Sequence, residues 1–286
     1  MIKLEKSVWG YIILVMLATY LVQILAIING GQEYEYFQLF IAVSMFFPCI
    51  GAIIYLVKNK ISLKYIDWKP RTFWYLLLSF LVPIIITLLG RLLFEKIGWG
   101  INNEYLISNN KVVDIDLPLL LGNEDQSISF FWSNFFISMI VINLINSVLA
   151  FGEEVGWRGF LQKKLLEQNS LLKSIIFLGL IWGFWHFPLI LSGFNYPEYP
   201  ILGAFILFPL NTIFISSFLA LLTIKSKSVW PAVFAHGGIN GVMSLLFEMD
   251  FGTHKLQANL GILGIWMIIG IISYIFLAKG YKNTNA

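Results

Sequence analysis

The sequence predicts an all-α, polytopic membrane protein of about eight transmembrane helices with a polar cavity opening to the cytoplasmic side. Three observations carry the membrane assignment. The residues are 58% hydrophobic and 12% charged, about half the charge of an ordinary soluble domain. Several apolar runs exceed the roughly 18 residues that cross a bilayer as a helix. Loop charge alternates: fourteen lysines and arginines lie at the two ends and in every second loop, against Lys96, Lys111 and Lys255 in the others. The positive-inside rule then places the basic loops and both termini in the cytoplasm.

The expected spans are about 8–29, 36–57, 73–94, 131–162, 171–193, 201–224, 229–249 and 258–278. Lipid leaves no water for unpaired backbone groups, and these long runs lack the short alternating strands of a barrel, so each is expected to be helical. The first span follows a basic stretch, Met1 to Ser7, and is too long for a signal-peptide core. Between the third and fourth spans, residues 95–128 form the longest polar stretch, mildly acidic, read as a cap or a tether. Arg91, near the outer end of the third span, is expected to snorkel to the interface. This divides the chain into residues 1–128 (three spans and the outer loop), 129–250 (the expected catalytic core) and 251–286 (the last span and tail). One cysteine, Cys49, excludes an internal disulfide and a cysteine-cluster metal site. The formal charge of +3 reflects loop orientation and implies no nucleic-acid partner.

Ionisable residues inside such runs are costly, about 2.5–3.5 kcal/mol each on insertion scales, and mark functional sites. Phe151 to Phe160 holds Glu153, Glu154 and Arg158. Glu154 and Arg158 are four apart on a helix and share a face, so they are expected to pair. Glu153 lies about 100° away and stays free. Gly152, Gly156 and Gly159 would let a neighbouring helix come close. The fifth span carries Trp182 and His186, again four apart, with Trp185 between them and Pro188 favouring a kink beyond. The seventh carries His236 and Asn240 with Gly237 and Gly238 beside them. Counted back from the basic loops at 1.5 Å per residue, Glu153, His186, His236 and Asn240 reach similar depths of roughly 14–20 Å. Trp182 and Trp185 are candidates to line the cavity they would share.

A carboxylate and an imidazole flanking a water can activate it, and a second imidazole with an amide can donate to an oxyanion. This is the equipment of a peptide hydrolase without a covalent intermediate. The chain has no G-x-S-x-G nucleophile elbow and no H-E-x-x-H. Glu153, His186 and His236 could alternatively hold zinc with an open position for water. No cofactor is expected on the metal-free route. Intramembrane Glu and His would also suit a proton-coupled transporter, and a non-catalytic immunity or scaffold protein is the other alternative.

Glu153-Glu154-x-x-x-Arg158, then Trp182-x-x-x-His186, then His236-x-x-x-Asn240, in order on separate helices, resemble the motifs of the CAAX protease and bacteriocin-processing family of intramembrane endopeptidases. The resemblance covers about residues 130–249. It departs at Trp182, where phenylalanine is usual. It implies that Glu153 with His186 activates water, that His236 and Asn240 form the oxyanion hole, and that Arg158 supports the site through Glu154. It also implies a membrane-associated peptide or a lipidated or short membrane-protein tail as substrate. Ile-, Phe-, Lys- and Asn-rich composition suggests a bacterial plasma membrane, where relatives are linked to peptide maturation and bacteriocin immunity. The substrate is expected to enter near Lys163 and Lys227.

Overall fold

The computed structural model describes residues 2–101, 104–247, 249–279 and 281; Lys282, part of the expected basic tail, lies outside them. The chain is helical nearly throughout. α1 (Lys6–Ile28) is followed by α2 (Phe37–Met45) and α3 (Phe47–Lys58), which form one apolar span broken at Phe46, with Pro48 in the first turn of α3. Proline suits that position because it has no N–H to leave unpaired. α4 (Phe73–Lys96) ends the N-terminal part.

Residues 106–127 carry a small antiparallel sheet ordered β1 (Leu106–Ser108), β2 (Lys111–Val113), β3 (Gln126–Ser127). Leu106 pairs with Val113 and Val112 with Gln126. The outer loop is therefore a folded cap, with Val112, Ile115 and Leu117 packed against Phe131, Phe135 and Met139. Arg91 does not snorkel. It forms an ion pair with Glu104 and donates to the Leu245 carbonyl at 2.6 Å. A helix-end arginine that finds a carboxylate and a free carbonyl folded over it has no need of the interface.

α5 (Ile128–Glu154) runs into a π-helical turn, Val155–Leu161, and then α6 (Gln162–Leu166). Next come α7 (Leu171–Trp185) and α8 (Phe187–Leu191), broken at His186 ahead of Pro188. α9 (Pro200–Leu202) leads through a second π turn, Gly203–Leu207, into α10 (Phe208–Ser226). α11 (Trp230–Gly241) is followed by α12 (Ser244–Phe247) and α13 (Lys255–Ala278). Among the described residues, six helical stretches are long and apolar enough to cross a membrane. The other two expected spans are shorter, α7 with α8 and α11 with α12, because both break beside the polar residues they carry.

The helices alternate in direction. At one end the basic segments meet: Lys3 N donates to Asn169 at 2.9 Å, Lys163 pairs with Asp67 at 2.8 Å, and Val229 N donates to the Asp67 carbonyl. At the other end Ile101 bridges Asp250 and Tyr199 reaches the Lys255 carbonyl. α11 packs on α5, and α10 lies between α7 and α13.

Glycine sets two of these approaches. A Cβ on Gly156 would lie 2.4 Å from the Pro48 backbone, and one on Gly237 2.2 Å from Ser147 Oγ. Overpacking of this kind costs about 1–3 kcal/mol. Gly156→Ala is therefore expected to lower the thermal unfolding midpoint of the purified protein in detergent. Gly264→Ala in α13, where a Cβ meets nothing within 4 Å, should leave it unchanged or raise it. Equal midpoints would contradict the close seating of the π turn on α3.

Candidate active site

Two adjacent glutamates at the end of α5 have different fates. Glu154 is fully buried, and its Oε1 accepts from Arg158 Nη1 at 2.8 Å and from His236 Nδ1 at 2.8 Å. Arg158 Nη2 donates to Ser216 Oγ of α10 at 3.0 Å, and its guanidinium lies over the Trp182 ring, 4.5 Å from the centroid. One carboxylate thus ties α5, the π turn, α10 and α11 together around a buried cation. The expected Glu154–Arg158 pair is present, and His236 joins it.

Glu153 points elsewhere. Its Oε2 accepts from Trp182 Nε1 at 2.7 Å. Trp182 also fixes the histidine one turn on, because His186 Nδ1 lies 2.9 Å from the Trp182 carbonyl. A carbonyl only accepts, so Nδ1 carries the proton and Nε2 is left for the cavity. Likewise, the ionised Glu154 accepts from His236 Nδ1, leaving that ring's Nε2 uncommitted. Trp185 anchors α7 to α1 through Nε1 to Thr19 Oγ1 at 2.7 Å, and its ring stands 4.6 Å from His186.

Glu153, Trp182, Trp185, His186, His236 and Asn240 all line one cavity of about 390 Å³. Glu154 and Arg158 do not line it. As helical spacing led one to expect, Glu154 pairs with Arg158 while Glu153 faces elsewhere. Among the described residues, no group of three or more His, Cys, Asp or Glu side chains is placed to hold a metal. The imidazole Nδ1 atoms are held by the Trp182 carbonyl and the Glu154 carboxylate, and one Glu153 oxygen by the Trp182 indole N–H.

The basic loops expected to receive the substrate do not line this cavity. The cavity extends from Glu153 toward the end holding residues 192–199 and the start of α2, where Gln38 and Asn195 line it. It does not reach the basic loops. Trp157, Arg158 and Phe160, all buried, fill that side. Lys163 and Lys227, expected at the substrate entrance, line a separate cavity of about 190 Å³ behind Arg158.

Sequence inspection missed the indole bond to Glu153, and it missed wall residues such as Asn146 and Asn211. The signal for the two asparagines was present: each is a polar amide inside an apolar run, like Asn240.

Residues 132–242 match the family described as Rce1-like, type II CAAX prenyl endopeptidase. A stretch of 82 residues is 35% identical to the protein named CAAX prenyl protease 2 of Methanococcus maripaludis, and covers 29% of this chain and 29% of that relative. The match thus spans less than a third of the relative's length. The match of residues 132–242 to that family agrees with the resemblance carried by the motifs at Glu153, His186 and His236.

Proposed function

We propose that this protein is an intramembrane endopeptidase that hydrolyses a peptide bond in a membrane-associated polypeptide with water activated by Glu153 and His186. The observation that carries this is the Glu153 carboxylate, held by the Trp182 indole but in no ion pair among the described residues, lining a cavity shared with two imidazoles whose Nδ1 atoms are bonded elsewhere. The resemblance of residues 132–242 to a family named for prenyl endopeptidases supports the same reaction.

In the proposed cycle Glu153 takes a proton from water, and the oxygen bonds to the scissile carbonyl carbon. His186 Nε2 accepts a hydrogen bond from that water and orients it. The carbonyl oxygen becomes an oxyanion. Asn240 can donate to it through its amide in any protonation state, whereas His236 Nε2 donates only when the ring is charged, because Nδ1 is already the donor to Glu154. The C–N bond then breaks, and Glu153 passes its proton to the leaving nitrogen. Carboxylate and imidazole end as they began, with one water consumed. Glu154 and Arg158 act through His236 and Trp182 and touch no reacting atom.

The substrate proposed is a lipidated or otherwise membrane-anchored peptide, of CAAX-box type by resemblance, or a peptide undergoing maturation or conferring bacteriocin immunity in a bacterial membrane.

Positioned general acid–base groups contribute about 10²–10⁴-fold. Glu153→Gln should therefore reduce cleavage of a panel of prenylated and membrane-anchored peptides by about that factor in detergent. Equal cleavage by both forms would remove Glu153 from the mechanism. A strong chelator should leave the wild-type rate unchanged; loss with chelator and recovery with zinc would replace the metal-free route.

Trp182→Phe separates the indole N–H from the ring. It should lower the unfolding midpoint and kcat and move the pH–rate profile, because a hydrogen bond to a charged group is worth about 1.5–3 kcal/mol. An unmoved profile would show that the indole does not act on the base.

A further inference from the structure

A cap standing in water is expected to be polar, yet one stretch of the cap between α4 and α5 carries no charge. Leu117-Pro118-Leu119-Leu120-Leu121-Gly122 is apolar throughout, bounded by Asp116 on one side and by Asn123, Glu124 and Asp125 on the other. Its tip faces away from the protein: Leu120 is 53% and Leu121 55% exposed. Gly122, with φ of 88°, turns the chain back toward β3. Single exposed leucines are ordinary on any protein surface. The backbone that carries these two is not.

Leu120 N donates to Ser138 Oγ at 2.9 Å, and Leu121 N donates to Asn134 Oδ1 at 3.0 Å. Asn134 Nδ2 donates in turn to the Gly122 carbonyl at 3.1 Å, and Asn123 Nδ2 to the Leu117 carbonyl at 2.9 Å. Leu119 N donates to the Leu117 carbonyl at 2.7 Å. Pro118 has no N–H. Every backbone N–H from residue 118 to residue 121 is therefore satisfied within the protein, although the leucine side chains are open to their surroundings. An exposed turn in water needs no such partners, because solvent supplies them. In hydrocarbon the protein must supply them, and irregular backbone is tolerated there only on that condition. Asn134 and Ser138, both fully buried in α5, supply two of them here.

The turn also lies short of the end of the apolar belt. Leu117, Phe131 and Phe135 surround one small cavity together with Leu88 and Arg91 of α4, which sets the first two turns of α5 level with that part of α4. α5 runs from the cap toward the basic loop at Lys163 and Lys164, so Ser138 lies about one turn deeper. In the opposite direction α4 continues from Leu88 to Lys96, about 12 Å at 1.5 Å per residue. Over that length it exposes Leu89, Leu92 and Leu93, and α4 is one of the stretches apolar enough to cross a membrane. Leu120 and Leu121 thus sit at a depth where the neighbouring helix still presents leucines to lipid, not at the level of its polar end.

We propose that residues 117–122 re-enter the bilayer from the face opposite the basic loops, and that the partner of Leu120 and Leu121 is the acyl-chain layer of that leaflet. Glu124 and Asp125, on the return of the loop, stay in the headgroup layer or in water. The proposal does not rest on the peptidase reading.

The test uses the full chain in vesicles of phosphatidylcholine and phosphatidylglycerol. With Cys49→Ala as background, a nitroxide is attached at Leu120→Cys, Leu121→Cys, Leu92→Cys or Asp125→Cys. Its relaxation by oxygen, which partitions into hydrocarbon, is compared with its relaxation by a water-soluble nickel chelate. Oxygen should dominate at positions 120 and 121, as at position 92, and nickel should dominate at position 125. Nickel dominating at 120 and 121 would overturn the proposal. The unaltered protein supplies a second readout. In vesicles containing a phosphatidylcholine with a diazirine on its acyl chain, illumination should attach lipid to residues 117–122 as well as to Leu92. Attachment at Leu92 with none at 117–122 would overturn the proposal equally.

Discussion

Everything at the site depends on the carboxylate of Glu154. Buried in the bundle, it takes hydrogen bonds from Arg158 and His236 on one oxygen. An arginine inside a membrane is tolerated when it is paired, and this one is also bonded to Ser216 and stacked on Trp182. Removing one partner from such a buried pair costs about 3–5 kcal/mol, because the other charge stays behind without compensation. The arrangement fixes α5, α10 and α11 against one another and places the indole of Trp182, and it leaves the neighbouring glutamate uncommitted to any cation.

That asymmetry links packing to chemistry. Helical rotation sends Glu153 into the cavity and Glu154 away from it. Trp182 then connects the floor: its indole N–H holds Glu153, its carbonyl holds His186, and its face carries the Arg158 guanidinium. The helix break at His186 frees the ring from a regular helical position and brings it between Trp185 and Phe208. The close approaches allowed by Gly156 and Gly237 bring α3 and α11 onto α5 tightly enough for these short bonds to form.

Much of this was legible in the sequence because the membrane makes polar residues conspicuous. The apolar runs gave the helices, and the spacing of four in Glu154–Arg158, Trp182–His186 and His236–Asn240 gave shared faces. Elements without a local pattern were not legible. The Arg91–Glu104 pair joins residues across a loop whose acidity resembles simple solvation. The cap's three strands are two or three residues long, too short to show alternation. Depth counted from the lysines at one end places the polar residues but does not say which side of the cavity is open. The plug of Trp157, Arg158 and Phe160 that closes the basic side arises from tertiary packing of the π turn against α1, α3 and α7.

The central claim is that Glu154 holds the structure and Glu153 serves the chemistry. The most direct test is the thermal unfolding midpoint of purified Glu154→Gln against Glu153→Gln, measured side by side in the same detergent. The account predicts a marked fall for Glu154→Gln, which leaves Arg158 without its counter-charge, and a midpoint at or above wild type for Glu153→Gln, which removes a buried charge that no cation pairs. Equal falls, or a larger fall for Glu153→Gln, would contradict the division of roles between the two glutamates.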